Sequence, residues 1–307
     1  MFPSYMASNM LKLFSTPRKL PQRPFEKEFQ ETAKYNLLSV PTENYIKNVD
    51  KYLKRKISPP DNLPKEIKVF EFLPENKEPN PISVICVHGW EGRSTNFYKF
   101  FKPLTDAGFR VLAPDFPMHG ETKAEVVGLH LFSHSLNCVI NYFGGDFYII
   151  GHSLGNSTTC VTFYSANEEI TKHILGFAAI GFGHLFKDYL MNFMNLVGLS
   201  TYAFDYFLDY CSENIGFNVR EFGNGFALSE MDIPVLIIHD ENDKELPYTE
   251  PIEIAKLVKR KKYKVGNKEM DCLHLTKGLG HRRIIRDDEV IRLVVEFIVS
   301  TLHDVKK

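Results

Sequence analysis

The chain has 307 residues, of which 44% are hydrophobic and 24% are charged, and its formal net charge is −1 at pH 7. These values predict a globular protein with a substantial core, and the near-zero charge argues against nucleic acid or an anionic membrane as a partner. We find no apolar run of the roughly 18 residues that a membrane span needs, and no continuous apolar core of a signal peptide. We therefore expect a cytoplasmic protein without stable membrane insertion.

The five cysteines are widely scattered, and none forms a Cys-x-x-Cys pair. This spacing suggests neither a zinc site nor a disulfide framework, so we predict free thiols in a reducing compartment.

Residues 1–65 are rich in lysine and proline and predict an arm, or strap, that packs on the rest of the protein. The stretch "FEKEFQETAKY" favours a short helix that carries Phe25, Phe29 and Tyr35. The segment "NMLKLF" is weakly amphipathic, and we expect it to be buried against the protein rather than to contact a membrane.

Residues 66–303 predict one domain in which short apolar strands alternate with helices. The strands are expected at "IKVFEFLP", "PISVICVHGW", "FRVLAPDFP", "DFYIIG", "ILGFAAIGFG", "IPVLIIHDEND" and "EMDCLHLTKG". The helices between and after them are expected at "TNFYKFFKPLTDAG", "LHLFSHSLNCVINYFG", "NSTTCVTFYSAN", "EPIEIAKLVK" and "RDDEVIRLVVEFIVSTL". This alternation is typical of the α/β class with a doubly wound, mostly parallel sheet.

Residues 183–231 interrupt the alternation with a segment rich in aromatic residues and methionine, which predicts a small helical cap. The cap would lie near the carboxyl ends of the strands, where open α/β sheets bind ligands. Candidate substrate-binding residues in and beside the cap are Phe182, Phe186, Met191 and Met194. The alternative is that these apolar side chains only pack the cap on the sheet.

A Gly-x-Ser-x-Gly pattern lies in "FYIIGHSLGNST", directly after a predicted buried strand and before a helix that begins with small residues. Gly151 and Gly155 allow a sharp turn that would present the hydroxyl of Ser153 for nucleophilic attack. The alternative is an ordinary strand–helix turn.

A serine hydroxyl needs an adjacent base, and the base needs a carboxylate to orient it. His281 is the candidate base, because it lies in a glycine-rich loop after the last predicted strand. Asp243, in "VLIIHDENDKELP", is the preferred carboxylate, whereas Asp240 is expected to shape the turn. The order serine, aspartate, histidine along the chain is the order of one serine-hydrolase fold.

An acyl-transfer site also needs N–H donors for the oxyanion of the tetrahedral intermediate. The backbone N–H of Leu154, directly after the serine, is one candidate. The other is the backbone N–H of Trp90 in "HGWEGRST", although Trp90 could also serve only as a hydrophobic lid. Arg93, Asp115 and His119 are expected to shape loops rather than to catalyse.

These motifs together resemble the α/β-hydrolase superfamily over about residues 68–303. "HGWEGRSTN" and "APDFPMHGET" are similar to segments of a group of esterase-like bacterial members. The resemblance implies the α/β-hydrolase fold and acyl hydrolase activity without specifying a substrate. "PDFPMHG" departs from the loop that is commoner in lipases acting on monoglycerides, which weakens a lipid-specific assignment.

The sequence therefore predicts a serine hydrolase, most simply a carboxylesterase that cleaves a small apolar ester. The alternatives are an acyltransferase or a peptidase with the same three residues, or a non-catalytic binding protein that retains the fold. We expect no cofactor and no metal, since neither phosphate-binding glycine patterns nor metal-ligand spacings occur.

Overall fold

The computed structural model describes residues 4–41, 64–75, 78–125, 127–165, 168–183, 186–198, 201–215, 219–220, 223–259, 262–265 and 268–305. In this part of the chain an eight-stranded sheet is flanked by helices. Eight of the described strands form this sheet, and β8 and β9 pair with each other outside it. The strands are β1 (Lys34–Ser39), β2 (Glu66–Phe72), β3 (Ile82–Val87), β4 (Arg110–Asp115), β5 (Asp146–His152), β6 (Ile174–Ile180), β7 (Val235–Asp240), β8 (Lys262–Val265), β9 (Lys268–Asp271) and β10 (Leu273–Thr276).

The helices are α1 (Ser4–Phe14), α2 (Pro24–Thr32), α3 (Tyr98–Asp106), α4 (Leu129–Phe143), α5 (Leu154–Ser165), α6 (Glu168–Thr171), α7 (Phe186–Leu196), α8 (Thr201–Ile215), α9 (Asn224–Glu230), α10 (Thr249–Leu257), α11 (Gly280–Arg283) and α12 (Asp288–Val305). Short 3₁₀ helices span Ser94–Phe97 and Ile284–Arg286. None of the helices in the described ranges is long and apolar enough to cross a membrane.

The strand order in the main sheet is β1-β2-β4-β3-β5-β6-β7-β10. The pairs β1–β2 and β2–β4 are antiparallel, and the other neighbouring strands are parallel. Every residue of β3 and β7 is buried, as expected for central strands that are covered by helices on both sides. The predicted doubly wound, mostly parallel sheet is confirmed.

The N-terminal arm differs from its sequence prediction. Helix α2 ends at Thr32, and Tyr35 lies in β1, where Leu38 pairs with Ile67 of β2. Leu38 is buried and its neighbours in the strand are exposed, which is the alternation of an edge strand with one covered face. The arm thus contributes a strand to the sheet that its sequence did not predict, while residues 42–63 lie outside the described part.

The predicted last strand is divided in two. Its first part, β9, pairs antiparallel with β8 in a separate hairpin, and its second part, β10, pairs parallel with β7. Cys272, at the break between them, is buried. All five cysteines are free thiols.

Between β6 and β7 the chain forms helices α7, α8 and α9, at the position predicted for the helical insertion. Helix α1 from the arm packs against α8. The arm and the insertion therefore meet on the same side of the molecule, and both approach the loops at the carboxyl ends of the strands.

Candidate active site

Ser153 occupies a strained turn between β5 and α5. Its φ angle is +54°, a left-handed conformation that non-glycine residues seldom adopt. The turn brings α5 very close to β3: a Cβ atom built on Gly155 would lie 2.1 Å from the Val87 carbonyl oxygen. Only glycine fits there, so the Gly-x-Ser-x-Gly pattern corresponds to a sharp strand–helix turn with Ser153 at its apex.

His281 lies in α11, in the loop region that follows β10, and its side chain reaches Ser153. Its Nε2 atom is 2.8 Å from the Ser153 Oγ atom. The backbone of His281 is held by His152, whose Nε2 atom donates to the His281 carbonyl oxygen at 2.8 Å. Burial lowers the pKa of His152 to about 3, so this supporting ring is neutral at pH 7.

Asp243 completes a hydrogen-bonded chain of three side chains. Its Oδ2 atom lies 2.7 Å from the Nδ1 atom of His281, and the Asp243 side chain is 1% exposed. The other oxygen, Oδ1, accepts hydrogen bonds from the backbone N–H groups of Glu245 and Leu246 at 2.8 and 3.0 Å. Burial acts to raise the pKa of Asp243, but the hydrogen bonds and the His281 partner outweigh it and lower that pKa.

This arrangement defines the tautomer of the histidine. A carboxylate can only accept a hydrogen bond, so neutral His281 carries its proton on Nδ1 and donates to Asp243. The Nε2 atom is then an acceptor for the Ser153 hydroxyl proton. The geometry is that of a general base next to an alcohol nucleophile.

Asp240 has a different environment from Asp243. It accepts hydrogen bonds from the backbone N–H groups of Asn242, Leu279 and Gly280 at 2.9–3.0 Å, and from the Thr276 hydroxyl at 2.8 Å. These bonds join the end of β7 to the loop that carries His281. Asp240 therefore shapes the loop, as its sequence position predicted.

The two predicted oxyanion donors belong to segments that meet at Ser153. Leu154 is the first residue of α5, where backbone N–H groups have no partner within the helix. Trp90 follows Gly89, and a Cβ atom built on Gly89 would lie 2.8 Å from the Ser153 Cβ atom. The loop after β3 thus packs directly against the nucleophile turn.

Two buried histidines support that loop. His119 donates from Nδ1 to the Pro117 carbonyl oxygen at 2.9 Å and accepts at Nε2 from the Glu91 N–H at 3.0 Å. His88 donates from Nδ1 to the Gly89 carbonyl oxygen at 2.8 Å and accepts from the Phe116 N–H at 3.1 Å. Burial lowers the pKa of His119 to about 4 and also lowers that of His88, so both are neutral acceptors at pH 7.

The predicted substrate-binding residues separate into different environments. Phe182 and Met194 are buried in the hydrophobic core, which favours a packing role. Phe182 packs edge-on against Phe177 at 6.3 Å, and its N–H donates to His239. Met191 is partly buried, and the side chain of Phe186 lies outside the described residues.

An aromatic contact beside the site was missed by the sequence analysis. Phe14 of α1 lies parallel to the Trp90 ring at 6.0 Å and edge-on to Phe193 of α7 at 5.2 Å. One arm residue thereby joins the loop after β3 to the helical insertion. The amphipathic stretch "NMLKLF" indicated that this segment is buried, but its partners are about 80–180 residues away in the chain and have no local signal.

Comparison with known proteins agrees with this architecture. Residues 82–197 match a family model described as alpha/beta hydrolase fold. No curated protein matches the sequence.

Solved structures with similar folds include Est1E from Butyrivibrio proteoclasticus with bound ferulic acid (TM-score 0.57, 19% identity, covering 79% of this chain and 96% of that one). An esterase from Pyrococcus furiosus has a TM-score of 0.58 at 16% identity, covering 92% of this chain and 97% of that one. A proline iminopeptidase from Mycobacterium smegmatis has a TM-score of 0.55 at 14% identity, covering 80% and 97%. At these identities the likeness is one of fold, and the chain has the α/β-hydrolase fold.

Proposed function

We propose that this protein is a serine hydrolase that cleaves a carboxylic ester of a small apolar molecule through an acyl-enzyme. The observation that carries the proposal is the hydrogen-bonded chain Ser153–His281–Asp243, with distances of 2.8 and 2.7 Å. Ser153 lies in a strained turn at the start of a helix. A histidine base that is hydrogen-bonded to a serine hydroxyl in such a turn activates that hydroxyl as a nucleophile. A protein that only bound a ligand would have no physical need of all three side chains in this geometry.

In the first half of the reaction, the Nε2 atom of His281 takes the proton of the Ser153 hydroxyl as Oγ attacks the ester carbonyl carbon. The negative charge that forms on the carbonyl oxygen accepts hydrogen bonds from the backbone N–H groups of Leu154 and Trp90. Asp243 stabilises the imidazolium and keeps its orientation. The tetrahedral intermediate then breaks its bond to the alcohol, which leaves with the proton from Nε2.

In the second half, water replaces the alcohol. His281 takes a proton from that water as it attacks the acyl carbon, and a second oxyanion forms in the same position. Collapse of this intermediate breaks the bond to Ser153 Oγ, which recovers its proton from Nε2. The products are the carboxylic acid and the free enzyme.

An apolar substrate is supported by the aromatic side chains around Trp90. Trp90, Phe14 and Phe193 form one contiguous aromatic group, and the backbone N–H of Trp90 is one of the two proposed oxyanion donors. We propose that α7, α8 and α1 together act as the cap over the site. An apolar acyl or alcohol group bound beneath it would remove apolar surface from water on both partners.

The first test is covalent labelling by a fluorophosphonate, measured by intact mass on the wild type, Ser153→Ala and the control Ser229→Ala. Ser229 is a half-buried serine of α9 whose hydroxyl donates to the Phe226 carbonyl oxygen in the same helix, so its removal leaves the site intact. We expect one adduct on the wild type and on Ser229→Ala, and none on Ser153→Ala. A folded wild type that resists both this probe and a smaller phosphonylating reagent would contradict the proposal and favour a binding protein.

A substrate panel then separates the related activities. It contains 4-nitrophenyl esters of increasing acyl length, an ester with an added alcohol acceptor, and amino-acid arylamides. We expect turnover of the esters with release of free acid. Preferential transfer to the alcohol would indicate an acyltransferase, and turnover of the arylamides would indicate a peptidase.

A further inference from the structure

The loop Trp90–Arg93, which we call the oxyanion loop, is attached to the arm segment Phe14–Leu20. Arg18 binds Glu91 through three hydrogen bonds: its backbone N–H and Nε donate to Oε1 at 3.1 and 2.7 Å, and Nη2 donates to Oε2 at 2.7 Å. Arg93 in turn donates from Nη2 to the Leu20 carbonyl oxygen. Each segment therefore contributes one arginine that donates hydrogen bonds to the other segment.

The Arg18–Glu91 pair is asymmetric in its exposure. The Glu91 side chain is 8% exposed, whereas the Arg18 side chain is 71% exposed. Burial acts to raise the pKa of Glu91, but the hydrogen bonds and charge of Arg18 outweigh it and lower that pKa. Removal of Arg18 would leave a largely buried carboxylate without this partner, so the loop would have to move to hydrate it.

The backbone of Glu91 supplies a second observation. Its φ angle is +56°, a conformation in which glycine is favoured and a side chain is strained. The strained peptide is held from one side by His119, which accepts the Glu91 N–H, and from the other by Arg18, which binds the carboxylate. A strained backbone persists where its surroundings over-determine it, and such strain often lies at functional sites.

Phe14 adds an apolar contact to the same attachment. Its ring lies parallel to Trp90 with an interplanar angle of 8°, and Trp90 is the residue whose N–H is the proposed oxyanion donor. The arm therefore contacts the side chain of Trp90, the carboxylate of Glu91 and the guanidinium of Arg93, which are three of the four residues of the oxyanion loop.

From these contacts we infer that Arg18 is a positioning residue for the oxyanion loop, and that the arm is part of the catalytic apparatus rather than an external strap. The inference rests on the proposed function for its effect on catalysis. Its physical content, that Arg18 holds the loop against the nucleophile turn, does not depend on the substrate. An oxyanion donor acts on the transition state more than on the bound substrate, so loosening it lowers kcat more than it raises KM.

The test compares Arg18→Ala and Arg18→Lys with the control Arg292→Ala. Arg292 also forms a double ion pair, with Glu289 and Glu296, on the exposed surface of α12. With 4-nitrophenyl acetate, Arg18→Ala is expected to lower kcat about 10-fold, less than the 10²–10³ lost on removal of a donor, with KM changed less than 2-fold. Lysine keeps the positive charge but cannot form the bidentate hydrogen bonds of the guanidinium, so kcat of Arg18→Lys is expected to fall only about 3-fold.

A second readout needs no substrate. Trp90 is the single tryptophan of the chain, so fluorescence excited selectively at tryptophan, without exciting the 14 tyrosines, reports on the oxyanion loop alone. Arg18→Ala is expected to increase acrylamide quenching of Trp90 about 2-fold, whereas Arg292→Ala leaves it unchanged.

The inference is overturned if Arg18→Ala matches Arg292→Ala in both kcat and quenching, or if the loss appears in KM alone. If no variant, the wild type included, turns over esters or reacts with fluorophosphonate, the proposed function fails. A selective rise in Trp90 quenching in Arg18→Ala would then still support the positional role of Arg18.

Discussion

Two loops meet at Ser153, and they are held in different ways. The loop that carries His281 follows β10 and is fixed by Asp240 at the end of the neighbouring strand β7, through Thr276, Leu279 and Gly280. The oxyanion loop follows β3 and is fixed by His119 and by Arg18, which lies 73 residues away from Glu91.

The difference follows from the sheet. Strands β7 and β10 are parallel neighbours, and their register places Thr276 directly beside Asp240. The pairing of these two strands therefore positions the loop that carries His281 next to Ser153. The oxyanion loop is held instead by single side chains from three segments: His119 accepts the Glu91 N–H, Asn96 accepts the Arg93 N–H at 2.9 Å, and Arg18 of the arm binds the Glu91 carboxylate. The sheet therefore positions the side chains of the proposed acid–base pair, whereas the arm contacts the loop that carries the proposed oxyanion donor Trp90.

The largest expected effect is on the acid–base side, in Asp243→Asn. The asparagine Oδ1 atom can still accept the Glu245 and Leu246 N–H groups, which leaves the amide nitrogen facing Nδ1 of His281. Two donors then face each other, the other tautomer is favoured, and Nε2 can no longer accept the serine proton. We expect kcat for ester hydrolysis to fall about 10⁴-fold.

A matched control for this variant exists in the same chain. Asp146 and His173 form a second aspartate–histidine pair, 2.9 Å apart, on the surface. Asp146→Asn should leave kcat within about 2-fold of wild type. If Asp243→Asn retained more than a tenth of the activity while its circular dichroism stayed native, Asp243 would not be the orienting carboxylate.

Asp240→Ala is expected to act mainly on stability. It removes four hydrogen bonds to one carboxylate and leaves part-buried backbone donors without this acceptor, for a loss of about 3 kcal/mol in the free energy of unfolding. Activity under conditions where the variant is folded should fall only about 10-fold, through displacement of the His281 loop. Urea denaturation and ester kinetics on the same sample measure both effects, with the surface variant Asp205→Ala as the control. An activity loss as large as that of Asp243→Asn would mean that the two aspartates cannot be distinguished in this way.

A smaller effect, set by pH, is expected from His119, which supports the oxyanion loop. His119 on the oxyanion side has a pKa of about 4, below the ordinary histidine value of about 6.5, because it is buried. Its folded-state pKa is depressed, so the unfolded chain takes up a proton first as the pH falls. Stability is therefore full above about pH 6.5 and is lost between pH 6.5 and 4, by up to about 1.4 kcal/mol per pH unit for this group.

Urea denaturation followed by Trp90 fluorescence between pH 7.5 and 4.5 measures this loss. In His119→Gln the slope of stability against pH should become shallower by up to one proton, although the variant is less stable at pH 7.5. An unchanged slope would mean that His119 is already accessible to protons in the folded state.

The sequence predicted the parts of the fold that follow from local patterns. Buried runs such as "SVICV" and "VLIIH" became β3 and β7, because central parallel strands must be apolar on both faces. Strand β1 was missed, because "KYNLLS" at a sheet edge needs only one buried side chain, Leu38, and its period is weak. The cut between β9 and β10 was also missed, since both lie in one continuous extended stretch.

The sequence by itself determined which residues could form the nucleophilic site. Gly151, Ser153 and Gly155 specify a strand–turn–helix, and Asp243 and His281 follow later strands whose carboxyl ends share one edge of a parallel sheet. These placements depend on the sterics of a short turn and on the direction of parallel strands. Both can be inferred from residues that are close together in the sequence.

Only the tertiary structure decided that Arg18 meets Glu91, that Phe14 meets Trp90, and that Phe182 is core rather than exposed. These contacts join segments that are far apart in the chain, through single side chains on irregular loops. The periodicity of hydrophobic residues cannot predict which of these side chains contact each other. The free energy of each contact depends on packing that exists only once the whole chain has folded.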